Sequence, residues 1–231
     1  MSGGAEVVAN ELDVLARLVP LAEARVLEAG CGAARLARDL VQRFPEARVT
    51  GLEVDERQHA KNLAAPQAGL EFVLAGAQAI PFPAASFDGA LMLKSLHHVP
   101  RPLMAQALGE LARVLRPGGW LYVSEPVYAG PLNEVVRLFN DEKVVREAAQ
   151  KALDEAVAGG TWAQQAELRF DMPVQFADFP DFERRMMHPT FADHHIDEAL
   201  REAVRRAFEP HMTEAGAQFT RPMHVRLLRR P

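Results

Sequence analysis

Short apolar runs alternate with amphipathic segments along the first 125 residues of the chain. Each segment with helical spacing is followed by a short continuous apolar run. For example, Pro20 ends a helical pattern, and the apolar run Val26-Leu27 follows it. We predict strands at 25–28, 48–52, 70–75, 88–93 and 120–125, and helices at 11–19, 33–44, 56–64 and 103–115. Alternation of this kind needs right-handed crossovers between parallel strands, so the pattern predicts an α/β fold with a doubly wound, mostly parallel sheet and helices on both faces.

The rhythm changes after residue 125. Pro131 opens a helical pattern that continues to Gly159-Gly160 and predicts one long, kinked helix. Beyond it we predict a strand at 168–176, helices at 182–187 and 196–208, and a final strand at 219–228 that pairs antiparallel. We interpret the chain, residues 1–231, as a single domain with a core at about 21–127 plus 216–231 and a helical elaboration at about 128–215 that forms a lid or substrate region.

Composition narrows the classes of partner. The chain has one cysteine, which excludes an internal disulfide framework and a cysteine-based zinc site, and its histidines lack a compact ligand spacing, so we expect no metal. The net charge of −5 makes a nucleic acid an unfavourable partner. No targeting or membrane-spanning segment is recognisable, so we expect a cytoplasmic protein that acts on a small molecule.

The strongest local pattern is a strand that ends at Glu28 and leads through Gly30-Cys31-Gly32 into a helix. Glycines at this point let a backbone approach a ligand closely. Glu53 ends the next strand, 23 positions after Gly30, where a carboxylate can accept hydrogen bonds from ribose hydroxyls. The two features together predict a nucleoside site.

Charge favours one kind of nucleoside ligand over another. A dinucleotide fingerprint needs a third glycine where Arg35 stands, and a pyrophosphate is repelled by a carboxylate such as Glu28. S-adenosyl-L-methionine carries an ammonium and a sulfonium group, which an acid beside the loop attracts.

Five motifs in order resemble the class I S-adenosylmethionine-dependent methyltransferases, in the small-molecule branch that is similar to the ubiquinone and menaquinone biosynthesis methyltransferases. The motifs are Val26–Gly32, Val49–Asp55, Ile80–Pro83 with Ser86–Asp88, Leu96–Val99 and Arg113–Gly119. The resemblance covers residues 26–127 and implies a Rossmann-like fold and S-adenosyl-L-methionine as the cofactor.

The resemblance also implies a role for each matching residue. Glu28, Gly30 and Gly32 would line the methionine moiety, with Lys94 beside it. Glu53 would hold the ribose. The remaining residues of the implied site would contact the adenine: Val54 on its face, and Ala77 and Gln78 at its edge.

Two positions depart from the family pattern. The third loop glycine is Ala34, which we expect to be tolerated if the backbone there is already helical. The acid that usually binds adenine is Gly76, whose loss should cost about 1 kcal/mol of affinity unless Gln78 compensates.

No catalytic residue is evident from the sequence. His97 and His98 follow the fourth strand and are candidates for a general base, although the related family often uses this pair as loop structure. The sequence predicts transfer of a methyl group to a small-molecule acceptor. The alternatives are a protein that binds the donor without methyl transfer and an enzyme that uses the donor for different chemistry.

Overall fold

A computed structural model describes residues 6–188 and 194–231. Within these ranges the chain divides into two compact units. The first unit, here called the sheet unit, comprises residues 10–125, 147–168 and 224–231. The second, here called the aromatic unit, comprises residues 6–9, 126–146, 169–188 and 194–223.

Nine strands and eight α-helices are found in the described residues. The strands are β1 (Glu6–Val7), β2 (Arg25–Ala29), β3 (Arg48–Glu53), β4 (Leu70–Leu74), β5 (Phe87–Leu93), β6 (Leu115–Pro126), β7 (Ala163–Phe176), β8 (Met212–Thr213) and β9 (Gly216–Arg229). The α-helices are α1 (Glu11–Leu18), α2 (Arg35–Arg43), α3 (Glu56–Leu63), α4 (Met104–Val114), α5 (Pro131–Val136), α6 (Lys143–Ala158), α7 (Phe179–Phe182) and α8 (Glu198–Phe208).

The sheet unit is built on parallel strands in the order β6-β5-β2-β3-β4. The end of β9 lies beside the start of β6, because the N–H of Gly118 bonds to the carbonyl of Arg230 and the N–H of Arg230 bonds to that of Gly119. Asn10 and Asp55 cap the N-termini of α1 and α3 with their side chains. The predicted α/β class with a mostly parallel sheet is confirmed.

Apolar residues of the central strands pack against α4 and α6 in one core. Leu27, Leu52 and Leu121 contribute the sheet side, and Leu108 and Leu153 contribute the helix side. All five side chains are buried. This packing fixes the strands whose carboxyl ends carry the candidate site.

The aromatic unit contains the two-residue strand β1 parallel to β7, and β8 antiparallel to β9. The antiparallel pairing predicted for the final strand is therefore present. Five phenylalanines form the centre of this unit's core with Leu132 and Val204: Phe176, Phe179, Phe182, Phe208 and Phe219.

Three predicted elements were wrong in their extent. Strand β6 begins at Leu115, five residues before its predicted start at Trp120. The long helix from Pro131 is broken into α5 and α6, and Asp141 accepts a hydrogen bond from the N–H of Lys143 where α6 begins. Asparagine and aspartate favour the start of a helix, so Asn140-Asp141 marks the break. Strand β7 begins at Ala163, five residues before its predicted start at Leu168. The interpretation as a single domain with a lid stays a prediction.

Among the described residues, no helix combines the length and the apolar character needed to cross a membrane.

Candidate active site at the carboxyl ends of the central strands

The glycine loop joins the ends of two neighbouring parallel strands. β2 pairs with β3 so that Ala29 lies opposite Leu52. The N–H groups of Gly30 and Cys31 both donate to the carbonyl of Leu52, at 3.0 and 2.9 Å. The loop therefore turns tightly over the end of β3, as expected for a ligand site beyond the carboxyl edge of a sheet.

Two glycines of this loop have positive φ angles, which glycine adopts without strain. Gly30 has φ +73°, and a Cβ atom there would lie 2.8 Å from Cβ of Ser95. Gly32 has φ +52°, and a Cβ atom there would meet nothing within 4 Å. The first glycine thus permits close packing against Ser95, and the second leaves open space at the mouth of the loop.

Ala34 corrects the expectation of a helical backbone at the third loop position. It precedes α2 with φ 53° and ψ 37°, which is the left-handed region, and it is fully buried. A glycine would adopt this conformation without the Cβ strain that alanine suffers.

Glu53 links the end of β3 to the glycine loop. Its Oε2 accepts the N–H of Gly32 at 2.8 Å, and its Oε1 accepts the N–H groups of Val54 and Asp55 at 2.8 and 2.9 Å. A carboxylate oxygen can accept two hydrogen bonds, so Oε2 retains capacity for one further donor such as a ribose hydroxyl.

Asn62 of α3 fixes the loop from the opposite side, and sequence reasoning did not identify it. Its Nδ2 donates to the carbonyl of Gly32 at 2.7 Å, and Gln58 donates to its Oδ1 at 3.0 Å. Cys31 packs over Gly51, where a Cβ atom would lie 2.9 Å from its sulfur. Burial raises the pKa of the Cys31 thiol, so this cysteine is a packing residue and not a nucleophile.

Glu28 is the most perturbed acid of the site. It is 3% exposed, and its Oε2 is buried without a hydrogen-bond partner. Burial raises the pKa of Glu28 to about 8, against the opposing effects of the Lys94 ammonium and a backbone hydrogen bond from Ala37. Near neutral pH this carboxyl group is therefore mostly protonated in the protein without a ligand.

A second buried acid, Glu11, lies near Lys94 and was not identified from the sequence. Oε2 of Glu11 is 3.6 Å from Nζ of Lys94, and the hydroxyl of Tyr122 donates to Oε1 of Glu11 at 3.2 Å. Lys94 has φ +58°, an unusual conformation for a residue with a side chain, and its N–H bonds to the carbonyl of Ser124. Strained backbone of this kind is often found at functional sites.

The residues expected at the adenine differ in exposure. Val54 is 66% exposed at the end of β3, and Ala77 is buried. The side chain of Gln78 lies over Gly76, because a Cβ atom on Gly76 would be 2.5 Å from Oε1 of Gln78. The Gln78 amide thus lies where the side chain of an acid at position 76 would begin.

The two candidate histidines differ in their surroundings. His97 is buried and its Nδ1 is hydrogen-bonded to Oε2 of Glu125, while Oε1 of Glu125 accepts the N–H of Leu96. His98 is exposed, with its ring 4.1 Å from that of His97. Glu125 orients His97 and the loop backbone, so a reactant in solution has access only to His98 of the pair.

Comparison with known proteins shows that the segment carrying this site is similar to methyltransferases. Residues 26–119 match a family model described as a methyltransferase domain. A fatty-acid O-methyltransferase of Mycolicibacterium smegmatis is 42% identical over 108 residues, which are 44% of this chain and 36% of that protein. A ubiquinone biosynthesis O-methyltransferase of Paracidovorax citrulli is 34% identical over 113 residues, 46% of this chain and 45% of that protein.

The fold also has solved counterparts. The YcgJ protein of Bacillus subtilis superposes with a TM-score of 0.67 at 18% identity, over 95% of this chain and 96% of that one. The chain spans about half or less of the curated relatives named above. The resemblance to class I S-adenosylmethionine-dependent methyltransferases is confirmed for the segment that carries the glycine loop and Glu53.

The residues of the loop fit the cofactor of that class. Oε2 of Glu28 is a buried acceptor without a partner, which suits an ammonium group, and the space beside Gly32 has room for a ligand. The free acceptor position on Glu53 suits a ribose hydroxyl, and the exposed face of Val54 suits a flat base. These features suit an adenosyl ligand with a cationic end better than a pyrophosphate.

Proposed function

We propose that this chain transfers a methyl group from S-adenosyl-L-methionine to an oxygen atom of a small-molecule acceptor. The observation that carries the proposal is the pair of buried acids, Glu28 and Glu53, on either side of a glycine loop with open space at Gly32. Acids on both sides favour a donor with a positive charge.

Each residue of the loop has a distinct task in this proposal. Glu53 accepts a ribose hydroxyl and holds the loop through the N–H of Gly32. Glu28, Gly30 and Lys94 line the methionine moiety. The adenine is contacted by Val54, Ala77 and Gln78. The Gln78 amide takes the place of the acidic side chain that the family usually has at position 76.

Methyl transfer from a sulfonium needs no covalent bond between the protein and the reactants. When bound, the sulfonium donor supplies an already activated methyl group. The protein then contributes alignment of the acceptor with the methyl group and exclusion of water.

The exposed His98 is our candidate for the general base, and His97 is a positioning residue held by Glu125. A base that takes a proton from an acceptor hydroxyl contributes about 10²- to 10⁴-fold to the rate. Replacement of His98 by Asn should lower kcat and remove one limb of the pH profile of kcat. An unchanged profile would assign His98 to loop structure.

The names of the relatives favour an oxygen acceptor. The protein of Mycolicibacterium smegmatis is named for fatty acids and that of Paracidovorax citrulli for ubiquinone biosynthesis, and both are named O-methyltransferases. A carboxyl or a phenolic hydroxyl on a largely apolar molecule is therefore the first acceptor class to test.

Donor binding tests the pocket directly. We expect S-adenosylmethionine and S-adenosylhomocysteine, but not NAD, to bind the full chain in isothermal titration. The substitution Glu53→Ala should weaken both by about 100-fold or more, because it removes a charged acceptor. Glu56→Ala is the matched control, since it removes an exposed acid three residues away. Equal binding by Glu53→Ala and the wild type would refute the site.

Turnover separates the proposal from its alternatives. Incubation with donor and acceptors of the two classes should give products that carry one added methyl group, detected by mass spectrometry, together with S-adenosylhomocysteine. Donor binding with no product from any acceptor would favour a binding protein. A product of a different mass would favour another use of the donor.

A further inference from the structure

The feature that the proposed function leaves unexplained is a cluster of two buried acids around one lysine. Glu11, on α1, and Glu28, on β2, are 5% and 3% exposed. Lys94, after β5, forms an ion pair with Glu11, with 3.6 Å between Nζ and Oε2. The Lys94 ammonium group thus pairs with one buried carboxyl group and attracts the negative charge of a second.

We propose that Glu11 is a positioning residue that pairs with Lys94, limits the attraction of Lys94 for the negative charge of Glu28, and so keeps Glu28 protonated until the ammonium group of the donor arrives. Donor binding then releases one proton to solvent. The inference rests on the proposed function, because it concerns the same donor site.

The two acids differ in how completely their oxygens are bonded, and the less completely bonded one is Glu28. Glu11 has a partner at both oxygens, the Tyr122 hydroxyl at Oε1 and Lys94 at Oε2. Oε2 of Glu28 has no partner. A buried, ionised carboxylate without a partner is unfavourable, so the proton stays on Glu28.

The groups that face Glu28 come from every element around it. Lys94 after β5 attracts its negative charge, as does a backbone hydrogen bond from Ala37 in α2, whereas Glu11 in α1 and Glu53 at the end of β3 repel it. Cys31 stays a neutral thiol because burial raises its pKa. Burial has the largest effect, and the pKa of Glu28 is raised to about 8.

Binding of a cation changes this balance. The ligand's ammonium group next to Oε2 stabilises the ionised form of Glu28, and the proton leaves to the buffer. The neutral carboxyl group of Glu28 and the ligand's ammonium group thus become a carboxylate–ammonium ion pair, and one proton is released to the buffer. Affinity should then rise with pH below 8, by up to about tenfold per pH unit.

The experiment measures proton release by the full chain during titration with S-adenosylhomocysteine. Titrations at pH 6.5 in two buffers of different ionisation enthalpy give the number of protons, and titrations from pH 5.5 to 7.0 give the slope. This range lies below the pH at which α-amino groups lose their proton. We expect close to one proton released and an affinity that increases throughout the range. 5′-Methylthioadenosine, which lacks the amino-acid part, should bind without proton release.

Two variants separate Glu28 from its neighbours. Glu28→Gln should bind with no proton release and a flat pH dependence. Glu11→Gln should shift the rise in affinity to lower pH, because Lys94 then acts on Glu28 alone; a merely structural role of Glu11 would change affinity equally at every pH. Adenosyl ligands that bind without proton release would overturn this inference and leave the proposed function intact. No binding of any adenosyl ligand would overturn both.

Discussion

The two units bury different chemistry. In the sheet unit, buried ionisable groups include four acids and a histidine: Glu11, Glu28, Glu53, Glu125 and His97. In the described part of the aromatic unit, Asn133 is the one buried residue with a polar side chain, and the core is a cluster of phenylalanines. Burial of apolar rings stabilises a fold directly, whereas burial of an acid does so only when its hydrogen bonds are complete.

This contrast separates residues that hold the fold from residues that a ligand must complete. Glu53 and Glu125 are well bonded to backbone N–H groups and hold their loops. Glu28 keeps an unpartnered oxygen and destabilises the protein without a ligand. The sheet unit therefore loses some stability at its glycine loop. In the aromatic unit the comparable atom is Nδ2 of Asn133, an uncharged amide group that is also buried without a hydrogen-bond partner.

The largest effect should come from the centre of the aromatic cluster. Phe208 is fully buried, with ring centroids 5.0 Å from that of Phe182 and 5.6 Å from that of Phe179. Phe208→Ala should lower the free energy of unfolding by about 3–5 kcal/mol. Urea unfolding followed by circular dichroism measures it, with Leu138→Ala as the control because Leu138 is exposed. A loss below about 1 kcal/mol would show that the cluster adds little to stability.

The next effect concerns the unpartnered acid. Because the pKa of Glu28 is raised from 4.5 to about 8, the folded protein retains a proton that the unfolded chain releases, and stability falls as pH rises through this range. The slope from this group is at most about 1.4 kcal/mol per pH unit. Glu28→Gln has no proton to lose. Its stability relative to the wild type should therefore increase from pH 5 to 8, as measured by urea unfolding.

The comparison of variant with wild type cancels the contributions of other titrating groups. Glu56→Gln, at an exposed position, should show no such trend. A constant difference between Glu28→Gln and the wild type across this pH range would mean that Glu28 is ionised in the folded protein.

The repeating part of the fold was predictable because period and burial are local. Strands β2 to β5 and helices α1 to α4 follow from apolar spacing, with ends within a few residues of those observed, whereas β6 begins earlier than predicted because the Pro117-Gly118-Gly119 turn signal lies inside it. The break between α5 and α6 was missed because the apolar spacing continues across it, although Asn140-Asp141 is a helix-start signal. The start of β7 was missed because Gln164, Gln165 and Glu167 give it no apolar pattern.

The candidate site was only partly predictable. The strand-end acids and glycines lie next to the periodic elements, so their positions follow from the fold. Glu11 meets Tyr122 from 111 residues away, and at the start of a helix an acid is ordinarily explained by the helix dipole. Spacing alone does not show which distant polar residues the sheet brings together.

A smaller effect tests how the site tolerates Gly76. Because the Gln78 amide lies over Gly76, Gln78→Ala should weaken S-adenosylhomocysteine binding by about 5- to 10-fold, which corresponds to one lost hydrogen bond. Adding Gly76→Asp in the same chain should restore affinity. Ligand titration of the single and double variants gives the coupling free energy between positions 76 and 78. Without recovery, or with no loss in Gln78→Ala, the amide has no part in adenine binding.

The smallest effect concerns two alanines in the left-handed region. Ala85, with φ 56°, is exposed, so Ala85→Gly should relieve strain and stabilise the protein by about 0.5–1 kcal/mol. Ala34, with φ 53°, is fully buried, and its glycine variant also loses a buried methyl group worth about 0.8 kcal/mol. Ala34→Gly should therefore leave stability within about 0.5 kcal/mol of the wild type. Thermal unfolding of both variants measures the difference. Equal stabilisation at the two positions would mean that the Ala34 methyl group contributes no packing energy. Alanine in place of the family's third loop glycine would then add only backbone strain.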